Sequence, residues 1–352
     1  MTDMQALPEL QIAGRRIAAD APTYVIAEIG VNHNGDAALA HRMIDAARTS
    51  GADAVKFQTY RTEDLVLESA AKAEYQTRTT GVGNQFDMLR ALELPLEVFS
   101  ELRDHCNEVG IDFMSTAFDP ISLEYVVSLE PVCLKWPSGE LTNWPLLRQA
   151  KATGLPVMLS TGMGSLREIS AAMDLMGPES DVVILQCVSN YPARIEDQNL
   201  RVLPVMQAAF GCPVGFSDHT IGPYAALVAK ALGMAVLEKH FTLDCSMDGP
   251  DHAASIEADD FGSMVSLLRQ IEEGLGDGVK RPLLTEKSVR SVARKSLVYR
   301  SDLSAGYVLQ ENDLIGKRPG GGVGMDRLEQ FIGRALSQDV TMDELLESNH
   351  VQ

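Results

Sequence analysis

The sequence predicts an α/β protein, a (β/α)8 TIM barrel followed by a small C-terminal domain. Eight short apolar runs alternate with helix-length amphipathic segments between about residues 24 and 275, which matches the size and unit count of such a barrel. The runs lack strict polar–apolar alternation, as is typical of parallel strands that are buried on both faces. The first run ends in EIGVNHNG, without the G-x-G-x-x-G pattern of a doubly wound dinucleotide-binding sheet, so the barrel is favoured.

Each apolar run is predicted to be one barrel strand. In chain order the predicted strands span residues 24–30, 53–60, 112–118, 132–138, 156–162, 182–189, 213–220 and 235–241. A helix-like segment follows each strand, over residues 38–51, 95–110, 120–130, 145–154, 166–177, 200–211, 224–233 and 259–276. Several of these segments end in glycine, as helix C-termini often do. The alternation therefore predicts eight consecutive βα units.

The pattern changes after the eighth unit. The barrel is predicted to occupy residues 1–276, and a polar, basic linker residues 277–287. Residues 288–352 hold only short apolar pieces and form a second, small domain in this interpretation. A domain of this size is small for independent stability, so we expect it to dock on its own barrel or on another subunit.

Composition excludes several classes of partner. The chain has 352 residues and a formal net charge of −19, which argues against nucleic acid or an anionic membrane as the main partner but permits a small anionic substrate. No apolar run approaches the ~18 residues of a membrane span. The segment MTDMQALPELQIAG lacks the features of a secretory signal, so the cytoplasm is the expected location. The five cysteines form no C-x-x-C pair and are interpreted as reduced core residues.

The chemistry of a barrel lies at the carboxyl ends of its strands. The polar residues at these ends are, strand by strand, Glu28, Lys56 with Gln58, Ser115 with Thr116, Lys135 with Ser138 and Glu140, Ser160 with Thr161, Ser189 with Asn190 and Tyr191, Ser217 with Asp218 and His219, and Glu238 with His240. A barrel that served only as a scaffold would not need polar groups at nearly every strand end. The sequence therefore predicts an active site at this rim.

Two histidines and two lysines suggest the kind of site. His219 and His240 end consecutive predicted strands, which brings both imidazoles to the same rim, as a divalent metal requires. Lys56 and Lys135, with neighbouring hydroxyl groups, suggest a cradle for a phosphate or another oxyanion. A Schiff-base aldolase would also use one such lysine, but it would not need the two histidines.

Carboxylates and one arginine complete the candidate site. Glu28, Glu140 and Asp251 lie at loop positions where they could transfer protons or orient a polyol. Arg318 lies in the glycine-rich segment GKRPGGGVG of the small domain, and it could reach a ligand if that domain docks over a barrel mouth.

The chain carries, in this order, AEIGVNHNG, AVKFQ, LKWPSGE, TNWPLL, LSTGM, SNYPA, GFSDHT, LEKHFTLD, GPDH and KRPGGG. Together these motifs resemble those of the sialic acid synthase family, over residues ~20–350. The resemblance implies that the C-terminal part is an antifreeze-like (SAF, β-clip) domain. It also implies a synthase that condenses phosphoenolpyruvate with N-acetylmannosamine or a related N-acylated hexosamine and releases phosphate by C–O cleavage. The alternative is an N,N'-diacetyllegionaminate synthase, which differs in the acceptor sugar.

The resemblance also implies roles for the candidate residues. His219 and His240 would bind Mn²⁺ or Mg²⁺, and Arg318 would bind the acyl group of the sugar from the partner subunit of a domain-swapped homodimer. The residues expected to hold phosphoenolpyruvate are Lys56, Lys135, Thr116, Ser138, Ser160, Ser189 and Ser217. The residues expected around the sugar and its protons are Glu28, Gln58, Glu140, Tyr191 and Asp251.

One dipeptide departs from the family pattern. Trp136 and Pro137 stand before Ser138, where the family usually has a small residue. The tryptophan could face outward, or it could reshape the floor beside Lys135 and change the acceptor. Other phosphoenolpyruvate-dependent ulosonate synthases, which use phosphorylated aldoses, are less favoured because no arginine-rich second phosphate site is visible. A carbohydrate-binding module on a barrel scaffold is a further, non-enzymatic alternative.

Overall fold

Eight parallel strands form a closed barrel in the structure, a computed structural model that describes residues 7–352. A short antiparallel hairpin, β1 (Leu10–Ile12) and β2 (Arg15–Ile17), precedes the barrel. The barrel strands are β3 (Tyr24–Gly30), β4 (Ala54–Thr59), β5 (Asp112–Ala117), β6 (Leu134–Trp136), β7 (Val157–Ser160), β8 (Val182–Cys187), β9 (Val214–Asp218) and β10 (Val236–Thr242). Each pairs with the next, and β10 pairs with both β9 and β3, which closes the ring. The predicted (β/α)8 barrel is confirmed.

Helices surround the strands in the expected alternation. They are α1 (Ala37–Thr49), α2 (Thr62–Leu65), α3 (Glu74–Thr80), α4 (Gln85–Leu92), α5 (Leu96–Val109), α6 (Pro120–Ser128), α7 (Trp144–Ala152), α8 (Leu166–Met176), α9 (Val202–Phe210), α10 (Tyr224–Ala231) and α11 (Ala258–Leu275). The two-residue strand β11 (Ile256–Glu257) pairs in parallel with the end of β10, just before α11. The short helices α2, α3 and α4 lie between β4 and α5, in a segment that we call the β4–α5 insertion (residues 60–95). The sequence did not predict them, because helices of four to eight residues are too short to show a helical period.

Side-chain caps set the starts of several barrel helices. Asp36 accepts a hydrogen bond from the Ala38 N–H at the start of α1, and Asp119 accepts one from the Ser122 N–H at the start of α6. Ser165 caps α8 in the same way. Helix N-termini follow the carboxyl ends of the strands, so these caps limit the length of the loops at that rim.

The apolar core has two layers. The larger layer fills the space between the outer face of the strands and the helices. The smaller layer lies inside the barrel, where Leu10, Ile12 and Ile17 of the hairpin pack against Tyr24 and Val236 at the beginnings of two strands. The amino end of the barrel is thereby sealed, and the carboxyl end is left for the candidate site.

The chain divides into two compact units, of which the second spans Asp277–Gln352. This unit contains helix α12 (Lys287–Ala293) and the antiparallel strands β12 (Ser296–Tyr299) and β13 (Leu314–Lys317). It has an apolar core of its own, which includes Leu297 and Phe331. Its antifreeze-like fold and the linker at 277–287 stay predictions. Residues 1–6 of the predicted barrel domain lie outside the described part. Within residues 7–352, no helix is long and apolar enough to span a membrane.

Candidate active site

Two lysines and two glutamates lie buried together at the carboxyl end of the barrel. The Lys56 Nζ is 2.8 Å from Glu28 Oε2 and 3.7 Å from Glu238 Oε2. The Lys135 Nζ is 3.6 Å from Glu238 Oε1, which also accepts a hydrogen bond of 2.8 Å from the Ser217 hydroxyl. All four charged side chains are no more than 6% exposed. The barrel therefore holds two cations at its rim and balances them with two carboxylates.

Hydroxyl groups on neighbouring strands bind the two lysines. The Lys56 Nζ donates to Thr116 Oγ1 on β5 at 2.9 Å, and the Lys135 Nζ donates to Ser160 Oγ on β7 at 2.7 Å. Because these strands are parallel and adjacent, their ends place each ammonium beside a hydroxyl. An array of ammonium and hydroxyl groups can bind the oxygens of a phosphate or a carboxylate.

Two more serines meet at a glycine that follows β7. The Gly162 N–H donates to Ser138 Oγ at 2.9 Å. A Cβ built on Gly162 would lie 2.3 Å from Ser189 Oγ and 3.2 Å from Cys187 Sγ, so glycine is required for this close approach. The predicted phosphoenolpyruvate residues Ser138 and Ser189 are thus neighbours, although they lie on different loops.

Burial and charge separate the carboxyl groups of the site into two kinds. Burial raises the pKa of Glu28, although Lys56 opposes this. Burial and the nearby Glu28 charge raise the pKa of Asp251 to about 7. Burial would also raise the pKa of Glu238, but the charges of Lys135 and Lys56 together outweigh burial and lower this pKa to about 2. Asp251 can therefore exchange a proton near neutral pH, while Glu238 stays a fixed negative charge.

His219 and His240 form the other half of the site. Their ring centroids are 5.4 Å apart, and the Tyr191 ring packs 4.2 Å from that of His219. The Nδ1 of His219 lies 2.7 Å from the Val188 carbonyl oxygen, to which it donates as Nδ1–H, and this leaves Nε2 available as a ligand. Burial, and next the charge of His219, lower the pKa of His240 well below its usual value.

This pair fits a divalent cation. The buried Nδ1 of His240 has no hydrogen-bond partner among the described residues, so a polar atom in the site lacks a protein partner. Neutral imidazole is the form that binds metal ions. Within residues 7–352 no group of three or more His, Cys, Asp or Glu side chains has metal-binding geometry, so the protein offers two ligands at most. Water or substrate oxygens would have to supply the rest.

The β4–α5 insertion contributes an aromatic side chain that the sequence did not reveal. The Tyr75 ring, on α3, packs 5.2 Å from the Tyr191 ring. From the same helix, Thr79 Oγ1 donates to the Pro250 carbonyl oxygen at 3.4 Å, next to Asp251. The insertion therefore lies at the carboxyl rim and adds Tyr75 to the wall formed by Tyr191 and the two histidines.

Most of the predicted site residues come together in one place. They are Glu28, Lys56, Gln58, Thr116, Lys135, Ser138, Ser160, Ser189, Tyr191, Ser217, His219, His240 and Asp251. No described contact joins Glu140 to this group, and its carboxylate accepts a hydrogen bond of 2.5 Å from Asn143 Nδ2. Arg318 belongs to the second unit, where its Nε donates to the Ala293 carbonyl oxygen. The functional role of each residue stays a prediction.

Two residues of the site had no predicted role. Glu238 contacts both lysines. Because alternate residues of a strand share a face, its position two residues before His240 could have predicted that its side chain faces the site. Tyr75 had no comparable signal. The structure also answers the question about Trp136: it is buried in the layer between strands and helices, and its Nε1–H donates to the Glu140 carbonyl oxygen. The tryptophan therefore packs away from Lys135 and does not shape the site floor.

The fold and the site together define a class, a (β/α)8 barrel enzyme with a buried lysine and hydroxyl cluster at its carboxyl rim. Comparison with known proteins makes the class specific. The chain belongs to the NeuB family, whose family model matches residues 43–280.

Three similar proteins span most of this chain. An N,N'-diacetyllegionaminic acid synthase from Legionella pneumophila is 41% identical over 94% of this chain and 94% of its own length. A protein of the same description from Campylobacter jejuni is 40% identical over 92% of this chain and 98% of its own. The crystal structure of an N-acetylneuraminic acid (sialic acid) synthetase from Leptospira borgpetersenii, in complex with citrate, has 31% identity and a TM-score of 0.72, covering 81% of this chain and 96% of that one.

Proposed function

We propose that this protein is a nonulosonic acid synthase that condenses phosphoenolpyruvate with an N-acylated hexosamine and releases inorganic phosphate. The observation that carries the proposal is the buried cluster of Lys56, Lys135 and their hydroxyl partners beside the His219–His240 pair. The cluster suits an anionic substrate that holds both phosphate and carboxylate, and the histidines suit the neutral sugar. Membership in the NeuB family and the similarity to two proteins described as N,N'-diacetyllegionaminic acid synthases support the same reaction.

The proposed reaction balances as follows. The methylene carbon of phosphoenolpyruvate forms a bond to the aldehyde carbon of the open-chain sugar, and the aldehyde oxygen takes up a proton. A water oxygen adds to the carbon that carries the phosphate and gives up two protons, one to the aldehyde oxygen and one to the departing phosphate. The bond between that carbon and the phosphate oxygen then breaks, which leaves an α-keto acid and inorganic phosphate.

The side chains of the site have separable tasks in this reaction. Lys56 and Lys135, held by Thr116 and Ser160, bind the phosphate and carboxylate oxygens and stabilise negative charge that moves onto them. Asp251, with its pKa raised to about 7, can donate or accept the proton that the aldehyde oxygen and water exchange. Tyr191 and the insertion keep bulk water away from the reacting carbons.

We further propose that His219 and His240 hold Mn²⁺ or Mg²⁺. When bound, such an ion polarises the carbonyl oxygen of the sugar as a Lewis acid. The chain's contribution is to hold the two imidazoles close together, at a ring separation of 5.4 Å, and to keep that of His240 neutral through its depressed pKa. The unpartnered Nδ1 of His240 supports this assignment.

The acceptor that the comparisons favour is a diacetamido sugar. The two relatives at 41% and 40% identity are both described as N,N'-diacetyllegionaminic acid synthases, whereas the sialic acid synthetase structure is 31% identical. We therefore propose 2,4-diacetamido-2,4,6-trideoxymannose as the preferred acceptor. N-acetylmannosamine is the second candidate, because both sugars present the N-acyl group that the resemblance implies.

Phosphate release from phosphoenolpyruvate tests the proposal. The full chain would be assayed with Mn²⁺ and one of three acceptors: 2,4-diacetamido-2,4,6-trideoxymannose, N-acetylmannosamine or arabinose 5-phosphate. Release that depends on one N-acyl sugar and stops with EDTA supports both the class and the metal. Release only with the phosphorylated aldose contradicts the acceptor class, and EDTA-insensitive turnover that borohydride traps points to a Schiff-base aldolase.

The remaining proposal concerns assembly. We propose a homodimer in which Arg318 of the partner subunit completes the sugar site. The resemblance supports this, as do the exposed apolar side chains Leu284 and Val292, which are 92% and 61% exposed in the described chain. Light scattering on the full chain gives the oligomeric state. The variant Arg318→Ala should raise the KM for the sugar and leave the dimer intact.

A further inference from the structure

An ion pair on the far side of the strands from the site lies directly behind the two histidines. Asp218 and Lys239 are register partners on β9 and β10. The preceding register pair, Ser217 and Glu238, belongs to the site, so alternation puts Asp218 and Lys239 on the opposite face. The Lys239 Nζ is 2.8 Å from Asp218 Oδ2, and the two side chains are 2% and 0% exposed.

This pair binds Thr220, the residue that follows His219. The Asp218 Oδ1 accepts hydrogen bonds from the Thr220 N–H at 2.8 Å and from the Thr220 hydroxyl at 2.7 Å. The Lys239 Nζ also donates to the Thr220 carbonyl oxygen at 2.6 Å. A network in which each of three residues contacts the other two therefore surrounds His219: Asp218, Thr220 and Lys239. It lies just after the end of β9.

The same lysine precedes His240. The buried Nδ1 of His240 has no hydrogen-bond partner among the described residues, so the position of the ring depends on the backbone of β10 and on packing against Tyr191 and His219. Lys239 ties this backbone to the turn that carries His219. The relative position of the two imidazoles thus depends on this ion pair as well as on the bond of the His219 ring to the Val188 carbonyl oxygen.

Stability alone does not explain a charged pair at this place. Removing an ammonium and a carboxylate from water is costly, and well-packed apolar residues often replace such a pair without loss of stability. Apolar residues could form none of the three hydrogen bonds that hold Thr220 in place.

We propose that Asp218 and Lys239 are positioning residues that set the separation of His219 and His240 for a divalent cation. Neither would touch the ion or a substrate. The inference rests on the metal site of the proposed function and deepens it. Groups that orient metal ligands in this way typically change metal affinity by ~10- to 100-fold when they are removed.

Manganese affinity, measured without substrates, tests the proposal. Free Mn²⁺ would be titrated by electron paramagnetic resonance against the full chain and four variants, one of which, His219→Ala, removes a proposed ligand. Asp218→Ala/Lys239→Met removes every side-chain bond to Thr220 without leaving a single buried charge, and we expect its Kd to rise ~10- to 100-fold. Asp218→Asn keeps the shape and part of the hydrogen bonding, and its Kd should rise less. Lys230→Met is the matched control, because Lys230 is also a buried lysine that binds backbone carbonyls, but those of Ala19 and Ala21 at the sealed end of the barrel.

The outcomes separate this proposal from the metal site itself. If His219→Ala abolishes Mn²⁺ binding and the folded double variant keeps the Kd of the unmodified chain, the positioning role is wrong and the metal site stands. If the unmodified chain does not bind Mn²⁺, or His219→Ala binds it equally well, both are wrong. If the double variant does not fold, Asp218→Asn decides: an unchanged Kd rejects the positioning role. A loss of melting temperature in Lys230→Met with unchanged Kd shows that affinity does not simply follow stability.

Discussion

Replacing Gly162 by alanine should impair phosphoenolpyruvate binding through a purely steric effect. The added Cβ would lie 2.3 Å from Ser189 Oγ and 2.8 Å from Ser138 Oγ, against a comfortable contact of about 3.5 Å. The backbone of Gly162 is outside the left-handed region, so the change causes no backbone strain of its own. The Ser189 hydroxyl must therefore move by roughly 1 Å, and the Ser138 hydroxyl by somewhat less.

Both the affinity and the stability should respond. Overpacking of this kind costs about 1–3 kcal/mol in free energy of unfolding. A displacement of about 1 Å in groups that position a substrate can cost on the order of 100-fold, so we expect kcat/KM for phosphoenolpyruvate to fall 10- to 100-fold. The KM for the sugar should change less, because Ser138 and Ser189 are assigned to the other substrate.

Phosphate release at varied phosphoenolpyruvate measures the effect, with thermal unfolding alongside. Gly274→Ala is the control, since a Cβ at Gly274 on α11 meets nothing within 4 Å. Alanine there should add about 0.5–1 kcal/mol of stability and leave kcat/KM unchanged. If Gly162→Ala keeps the kcat/KM of the unmodified chain, the two serines do not hold phosphoenolpyruvate as we infer.

Three further predictions concern pH, specificity and thiol chemistry. Burial lowers the pKa of His33 from 6.5 to about 4, so the unfolded chain takes up a proton first as the pH falls. The contribution of this histidine to stability should therefore fall by about 2 kcal/mol from pH 7 to pH 5. Urea unfolding should show a smaller loss in His33→Asn, which keeps an acceptor for the Gly35 N–H. If stability falls equally with pH in the variant and the unmodified chain, the prediction is wrong. Tyr75→Ala should raise the KM for the sugar about 3- to 10-fold and the KM for phosphoenolpyruvate less, whereas Tyr75→Phe should resemble the unmodified chain. Equal changes in the two KM values would contradict a contact between Tyr75 and the sugar. Burial raises the pKa of Cys106 to about 12 and that of Cys212 to about 11. Both thiols should therefore react with iodoacetamide at pH 8 at least ~100-fold more slowly in the native chain than in urea. Mass spectrometry after labelling measures the two rates, and similar rates in both states would contradict the prediction.

The strand-end rule accounts for what the sequence predicted well. Lys56, Lys135 and the two histidines were identifiable because parallel strands of a barrel end at one rim. Glu238 could have been assigned as well, since it shares a strand face with His240. The burial of Trp136 follows from the same alternation, because its neighbour Lys135 points into the barrel.

Other features depend on tertiary contacts that a sequence pattern cannot show. Tyr75 meets Tyr191 across more than one hundred residues, from an insertion whose short helices have no detectable period. Glu140 follows a strand end, yet Asn143, only three residues later, binds its carboxylate and keeps it out of the cluster. Position along the chain therefore indicates which residues reach the rim, but not where each side chain points once it is there.

The pairing of two lysines with two glutamates has a kinetic consequence. Before a cation binds, the cluster has no net charge, while the chain as a whole carries −19. A polyanion therefore approaches against a repulsive field, without the attraction that speeds encounter in positively charged clefts. In the proposed function, capture depends on exchange, in which the oxygens of phosphoenolpyruvate replace carboxylates as partners of Lys56 and Lys135. The association rate should accordingly increase with ionic strength, because salt screens the repulsion. The ordered lysines should contribute to affinity through a slow dissociation rate rather than through a fast association rate.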